Sequence, residues 1–247
     1  FSYLAKQGYR VIVPDQRGYN LSDKPRGAKN YTLDTLAQDV INLATALNYE
    51  KINLVGHDWG GIVAWWVATM FPDKLKKLII LNAPYPTVMT NQMLEGNLRQ
   101  LMKSWYMGFF QVPFLPETLA SLSDYEGMGR LLRESGNPVS FTDEDIETYR
   151  SAWSQPRAMT SMMNWYRALP RNALENDVFS IRRIVTPTLL LWGEKDKFLG
   201  TEMAQPSIGL CDEGEVIFYP NATHWLQHDE AQAVNEAIHR FIVGAHR

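Results

Sequence analysis

The apolar positions of the chain keep two rhythms. Short runs rich in Val, Ile and Leu predict strands: Arg10-Val11-Ile12-Val13-Pro14, Lys51-Ile52-Asn53-Leu54-Val55, Leu78-Ile79-Ile80-Leu81, Thr188-Leu189-Leu190-Leu191-Trp192 and Glu215-Val216-Ile217-Phe218-Tyr219. Between them the apolar spacing becomes helical. Leu33, Leu36, Val40, Leu43 and Leu47 line one face behind a Thr32 N-cap, and Ala231 to Ile242 predicts a final helix. Gly61 to Met70 is apolar nearly all round, which predicts a buried helix, and Pro72 stops it. Strands alternating with helices predict a mainly parallel sheet covered by helices.

The rhythm breaks after Pro86. Strand signals vanish between residues 87 and 178, and eight of the ten Met residues fall between Met89 and Met163, beside Trp105, Phe109, Phe110, Trp153 and Trp165. This stretch predicts a helical cap, 87–178, inserted into a core formed by 1–86 and 179–247. Flexible thioethers and aromatic rings suit an adaptable apolar pocket.

Composition narrows the class. With 247 residues, 45% of them hydrophobic, 21% charged and a net charge of −3, the chain can bury a large core and carries no basic run for nucleic acid or an anionic membrane. A single cysteine, Cys211, allows no internal disulfide and no thiolate metal site, so a reducing, cytoplasmic compartment is expected. The longest mainly apolar run, Gly61 to Phe71, falls short of the roughly 20 residues a membrane span needs. The chain opens at Phe1 in what reads as the end of a helix, so its true start is expected upstream.

The chemistry concentrates in Asn53-Leu54-Val55-Gly56-His57-Asp58-Trp59-Gly60-Gly61-Ile62, a strand running through a glycine-flanked turn into the buried helix. Such a turn is a nucleophile elbow, here with Asp58 where serine is usual. The N–H groups at the helix start keep Asp58 ionised. A carboxylate needs no activating base; it attacks saturated carbon and leaves an alkyl ester, which water must then cleave with the help of a base. His224, in the loop after the last strand, is the candidate base. Asp196, in Trp192-Gly193-Glu194-Lys195-Asp196 after the preceding strand, is the candidate to orient it. His57 is expected to pack, and His228, His239 and His246 are poorer candidates. Asn221-Ala222-Thr223 matches a glycosylation sequon, read here as coincidence.

Over essentially its whole length the chain resembles the α/β-hydrolase superfamily and, within it, the soluble epoxide hydrolases. The segments that carry the resemblance are Asp15-Gln16-Arg17-Gly18-Tyr19, Gly56-His57-Asp58-Trp59-Gly60-Gly61, Tyr106-Met107-Gly108-Phe109-Phe110-Gln111, Asn164-Trp165-Tyr166-Arg167, Gly193-Glu194-Lys195-Asp196 and His224-Trp225. The resemblance implies an α/β-hydrolase fold with a helical cap, and a cofactor-free hydrolysis of hydrophobic epoxides to vicinal diols. It implies that Tyr106 and Tyr166 polarise and protonate the epoxide oxygen, as a developing alkoxide requires, and that the Trp59 backbone N–H serves an oxyanion hole. Trp105, Phe109, Trp165 and Trp225 are expected to line the substrate pocket. The family also carries a strand and a His-Gly-x-Pro loop ahead of the first strand seen here. Those N-terminal strands and the loop's oxyanion donor are therefore expected upstream of residue 1, and activity and solubility of these residues alone are expected to be impaired.

Two alternatives remain open at this point. A haloalkane dehalogenase would use the same Asp58, with Trp59 and a cap indole such as Trp105 or Trp165 as halide donors. A non-catalytic homologue that binds hydrophobic ligands would keep the pocket without turnover. Some dehalogenases place their acid after the strand ending at Leu81, where this chain has Asn82-Ala83-Pro84, and fluoroacetate dehalogenases carry Arg beside the nucleophile, where this chain has Trp59.

Overall fold

A computed structural model of the protein describes residues 1–170 and 182–244. In chain order its core elements are α1 (Ser2–Lys6), α2 (Leu33–Ala46), β1 (Ile52–His57), α3 (Trp59–Met70) and β2 (Leu75–Leu81), followed after a helical stretch by β3 (Thr188–Gly193), β4 (Gly214–Tyr219) and a final helix, Ala231–Val243. The four strands form one parallel sheet in the order β1-β2-β3-β4.

Strand pleating explains how this sheet is covered. Successive side chains point to opposite faces. Leu78, Ile80, Leu190 and Trp192 therefore join one core with Val63, Ala64 and Val67 of α3 and with Leu33, Leu36, Ala37 and Ile41 of α2. Their neighbours Ile79, Leu81, Leu189 and Leu191 join a second core with Val234, Ala237, Ile238 and Phe241 of the final helix. Every residue of β3 is buried, as a central strand covered on both faces requires. Thr32 does sit at the N-cap of α2, but its hydroxyl pairs with the Thr35 hydroxyl at 2.9 Å instead of capping a backbone N–H.

The helical stretch between β2 and β3 holds α4 (Pro86–Leu94), α5 (Leu98–Lys103), α6 (Trp105–Phe109), α7 (Leu115–Ser121), α8 (Glu126–Ser135), α9 (Asp143–Trp153) and α10 (Ala158–Arg167). A small core of its own, with Leu132, Phe141, Ile146, Trp153 and Met159, holds part of it together. The expected boundary at 178/179 lies outside the described residues.

One expected strand is not formed. Arg10–Pro14 has the composition of a strand but takes no regular structure. It flanks a groove of about 1410 Å³ whose opposite wall is β1, and no described residue bridges the two as a sheet partner. Ile12 and Val13 stand 42% and 57% exposed. β-propensity measures fit to a paired, half-buried surface, and without a partner for its N–H and C=O groups such a run has no ladder to join.

Candidate active site

The site is built around the junction of β1 and α3. Asp58 occupies it with φ 51° and ψ −124°, a conformation that side-chain-bearing residues avoid. Two glycines make the turn possible. A Cβ on Gly56 would stand 2.7 Å from the Gly60 carbonyl carbon and 2.8 Å from the Gly61 Cα, and one on Gly61 would stand 2.5 Å from the Ala83 Cβ. The Asp58 N–H donates to the Leu81 carbonyl at 3.3 Å, which ties the turn to the end of β2. The carboxylate keeps 40% of its side-chain surface accessible.

Loops after the next two strands bring the partners. His224 Nδ1 lies 2.7 Å from Asp196 Oδ2 and its Nε2 lies 3.3 Å from Asp58 Oδ1, so one imidazole bridges two carboxylates. Burial by itself would lower the proton affinity of His224; the charges and hydrogen bonds of Asp196 and Asp58 outweigh it and raise the pKa to about 10. Burial would push the Asp58 carboxyl up, but hydrogen bonding and charge from His224, with help from His57 and the Trp59 backbone N–H, hold it at about 2. Asp196 is likewise held below the usual carboxylate range against its burial, chiefly by the charge of His224. Its oxygens accept four donors: His224, the Asn82 side-chain amide at 2.6 Å, and the N–H groups of Phe198 and Leu199 at 2.7 and 2.9 Å.

His57 packs as expected and does something more. Its Nε2–H donates to the His224 carbonyl at 2.7 Å, which leaves Nδ1 facing the Gln227 amide at 3.4 Å. Burial and the neighbouring imidazolium push its pKa down to about 4, so it is neutral where His224 is charged.

The roof comes from the helical stretch. Tyr106 on α6 and Tyr166 on α10 meet edge to face with ring centroids 5.9 Å apart, and Tyr166 stands 5.0 Å from the Trp59 ring. Phe198 closes the side, 6.1 Å from Tyr106 and 5.2 Å from His224. Burial pushes both phenols well above the usual tyrosine value; the negative charge of Asp58 adds to this for Tyr106, and Tyr106 and then Asp58 add to it for Tyr166, so both keep their protons. The Trp59 side chain, packed edge to face against Tyr166, offsets a small part of this rise.

The expected pocket aromatics divide. Trp225 does border the site, with its ring 5.1 Å from His224 and its N–H donated to Ser135 Oγ. Phe109 is half-buried and touches Phe110, one ring removed from the tyrosines. Trp165 is fully buried beneath the roof, edge-on to Trp59 at 5.7 Å, with its N–H donated to the Arg17 carbonyl at 3.0 Å. Trp105 is a correction: it stands 67% exposed, because the short α6 turns Tyr106 inward and its neighbour outward. Of the remaining histidines, His228 packs on Phe141 and His239 bonds the Tyr9 hydroxyl, while His246 lies outside the described residues.

Asn82 and Phe198 are contributors the sequence does not single out. Asn82 carried a signal, a polar residue ending an otherwise apolar buried strand. Besides bonding Asp196, its side-chain oxygen accepts the Gly193 N–H at 2.8 Å. Among the described residues no three His, Cys, Asp or Glu side chains gather as a metal set, and no helix is long and apolar enough to cross a membrane.

Known proteins similar to this chain are numerous. The family described as alpha/beta hydrolase fold matches residues 1–231. The AB hydrolase superfamily protein YfhM of Bacillus subtilis is 42% identical over 97% of this chain and 82% of its own length. Human epoxide hydrolase 4 is 37% identical over 96% of this chain and 66% of its own length. A crystal structure of the Bacillus megaterium epoxide hydrolase in complex with an inhibitor superimposes with a TM-score of 0.82 at 28% identity, over 92% of this chain and 81% of that one. The chain belongs to the α/β-hydrolase fold family, with epoxide hydrolases among its relatives.

Proposed function

We propose that the protein hydrolyses hydrophobic epoxides to vicinal diols in two steps, without a cofactor. An Asp58 carboxylate oxygen attacks an epoxide carbon; the carbon–oxygen bond breaks and the leaving oxygen takes a proton from the Tyr106–Tyr166 pair. Once Asp58 is an ester it no longer holds the positive charge of His224. The imidazolium then gives up its Nε2 proton to restore the phenol, and becomes the neutral base the second step needs. It draws a proton from water, the hydroxide adds to the ester carbonyl, and the Trp59 backbone N–H supports the oxyanion. Collapse releases the diol, its oxygen protonated by the new Asp58 carboxyl, and restores the Asp58–His224 ion pair. Protons balance over the cycle, and water is the only co-reactant.

The observation that carries this reading is the pair of protonated phenols over Asp58. An epoxide leaves as a strongly basic alkoxide and needs such donors, whereas halide does not. The Trp59 indole, the halide donor a dehalogenase would use, packs edge to face against Tyr166 at 5.0 Å. The epoxide hydrolases among the relatives support the same choice.

Intact-protein mass spectrometry of a His224→Gln variant tests it. Incubated with styrene oxide, the variant is expected to accumulate one ester, mapped to Asp58. An adduct from a bromoalkane alone would make the protein a dehalogenase. No adduct from either, with the fold intact, would favour a binding protein.

A further inference from the structure

Tyr106 and Tyr166 must converge from two different helices, and one of these cannot place itself. α6 has five residues, far below the length at which a helix is stable in isolation. Its position is therefore set by whatever grips the chain on either side of it. The grip comes from the residue after Tyr166. Arg167 Nε donates to the Phe110 carbonyl at 2.9 Å and Nη2 to the Val112 carbonyl at 2.8 Å. The same guanidinium holds Glu117 of α7 in a two-pronged ion pair, at 2.5 Å through Nη1 and 3.0 Å through Nη2, with only 15% and 14% of the two side chains exposed. Between the two carbonyls that Arg167 holds, Gln111 reaches back in the opposite direction and donates to the Tyr166 carbonyl at 2.9 Å. Phe110, whose carbonyl is one of those held, lies with its ring 5.6 Å from Tyr106 and 4.8 Å from Tyr166.

We propose that Arg167, locked by Glu117 and matched by Gln111, is a positioning residue that sets the spacing and aim of the two phenols. This rests on the epoxide reading above. The planar fork is what the geometry needs, since two carbonyls and a carboxylate are met at once by one rigid group, and a lysine ammonium cannot reproduce this pattern. Nothing in the clamp touches His224, Asp196 or the Asp58 turn. Its loss therefore falls on the step that uses the phenols, ring opening, and spares ester hydrolysis.

Rapid-quench single-turnover kinetics with styrene oxide on the wild type, Arg167→Lys and Glu117→Gln separates the two steps. Arg167→Lys is expected to slow ester formation by about 10²-fold, the scale of an ångström-sized misplacement, while ester breakdown stays within about twofold of wild type because its machinery is untouched. Glu117→Gln is expected to show the same split to a smaller degree. In Arg167→Ala, added guanidinium ion is expected to restore ester formation better than ethylammonium at equal concentration. Equal slowing of both steps, or unchanged ester formation in a folded Arg167→Lys protein, would overturn the proposal. A readout without substrate covers failure of the epoxide reading itself, which would show as no ester in the wild type. Fluorine NMR of fluorotyrosine-labelled protein, assigned with Tyr106→Phe and Tyr166→Phe, follows the titration of the two phenols. Arg167→Lys should move both toward the ordinary tyrosine range, and titrations identical to the wild type would again refute the clamp.

Discussion

An imidazole between two carboxylates is a poor base at rest, and His224 is one. Its charge is held by Asp196 on one side and by Asp58 on the other. Removing one partner must weaken the hold, so in Asp58→Asn the His224 pKa is expected to fall below its value of about 10, as read by NMR titration. An unchanged value would assign the shift to Asp196 alone. The same ion pairs set how stability varies with pH. Because the folded-state value of His224 is raised above 6.5, its contribution is complete below that pH and is lost as pH climbs through about 10. Asp58 moves the other way: its value is lowered from 3.8 to about 2, so its contribution is present above the first value and is lost as pH falls through the second. Thermal melts are expected to decline at both ends, and His224→Gln should flatten the alkaline decline.

At the scale of elements, the turn between β1 and α3 sorts its glycines by what a methyl group would meet. At Gly56 and Gly61 it would meet backbone and the Ala83 side chain, which cannot yield without moving β1 from α3. At Gly60 it would meet only the end of the Gln16 side chain, 3.3 Å away. Gly56→Ala is therefore expected to cost at least the roughly 1–3 kcal/mol of an overpacked core and to abolish ester formation, while Gly60→Ala costs little. Urea denaturation compares the two, and equal loss in both would show that the turn has slack.

This turn was legible in the sequence because strand, glycine pair and apolar helix sit in one continuous segment. His224 and Asp196 were legible for the same local reason, each in a loop directly after a strand. Trp105 and Trp165 were not separable. Aromatic content is visible in a sequence, but which ring faces inward depends on how short helices such as α6 are gripped from elsewhere, here by Arg167 across α7 and α10. Arg10–Pro14 shows the same limit, since a strand exists only where another chain segment offers it hydrogen bonds. Asn82 was read for the carboxylate it lacks; its bonds to Asp196 and Gly193 come from β3 and its loop, more than a hundred positions away.

Across the whole molecule, β1 forms one border of the sheet, with Val55 43% exposed beside the groove. An open apolar strand edge is a template for pairing with another copy. These 247 residues alone are expected to self-associate with rising concentration in light scattering, and Val55→Lys should suppress this by placing charge on the edge. Association undiminished by the lysine would locate the sticky surface elsewhere. The groove has a second consequence, because Gly56, His57, Gly60 and Gln227 also border it. A high-permittivity layer there would lie one imidazole ring, that of His57, behind the His224 backbone. Charges interact severalfold more strongly when such a layer is replaced by hydrocarbon. The polarity of what lies against Gly56 and His57 on this side thus adjusts, from the rear, how tightly His224 holds its proton.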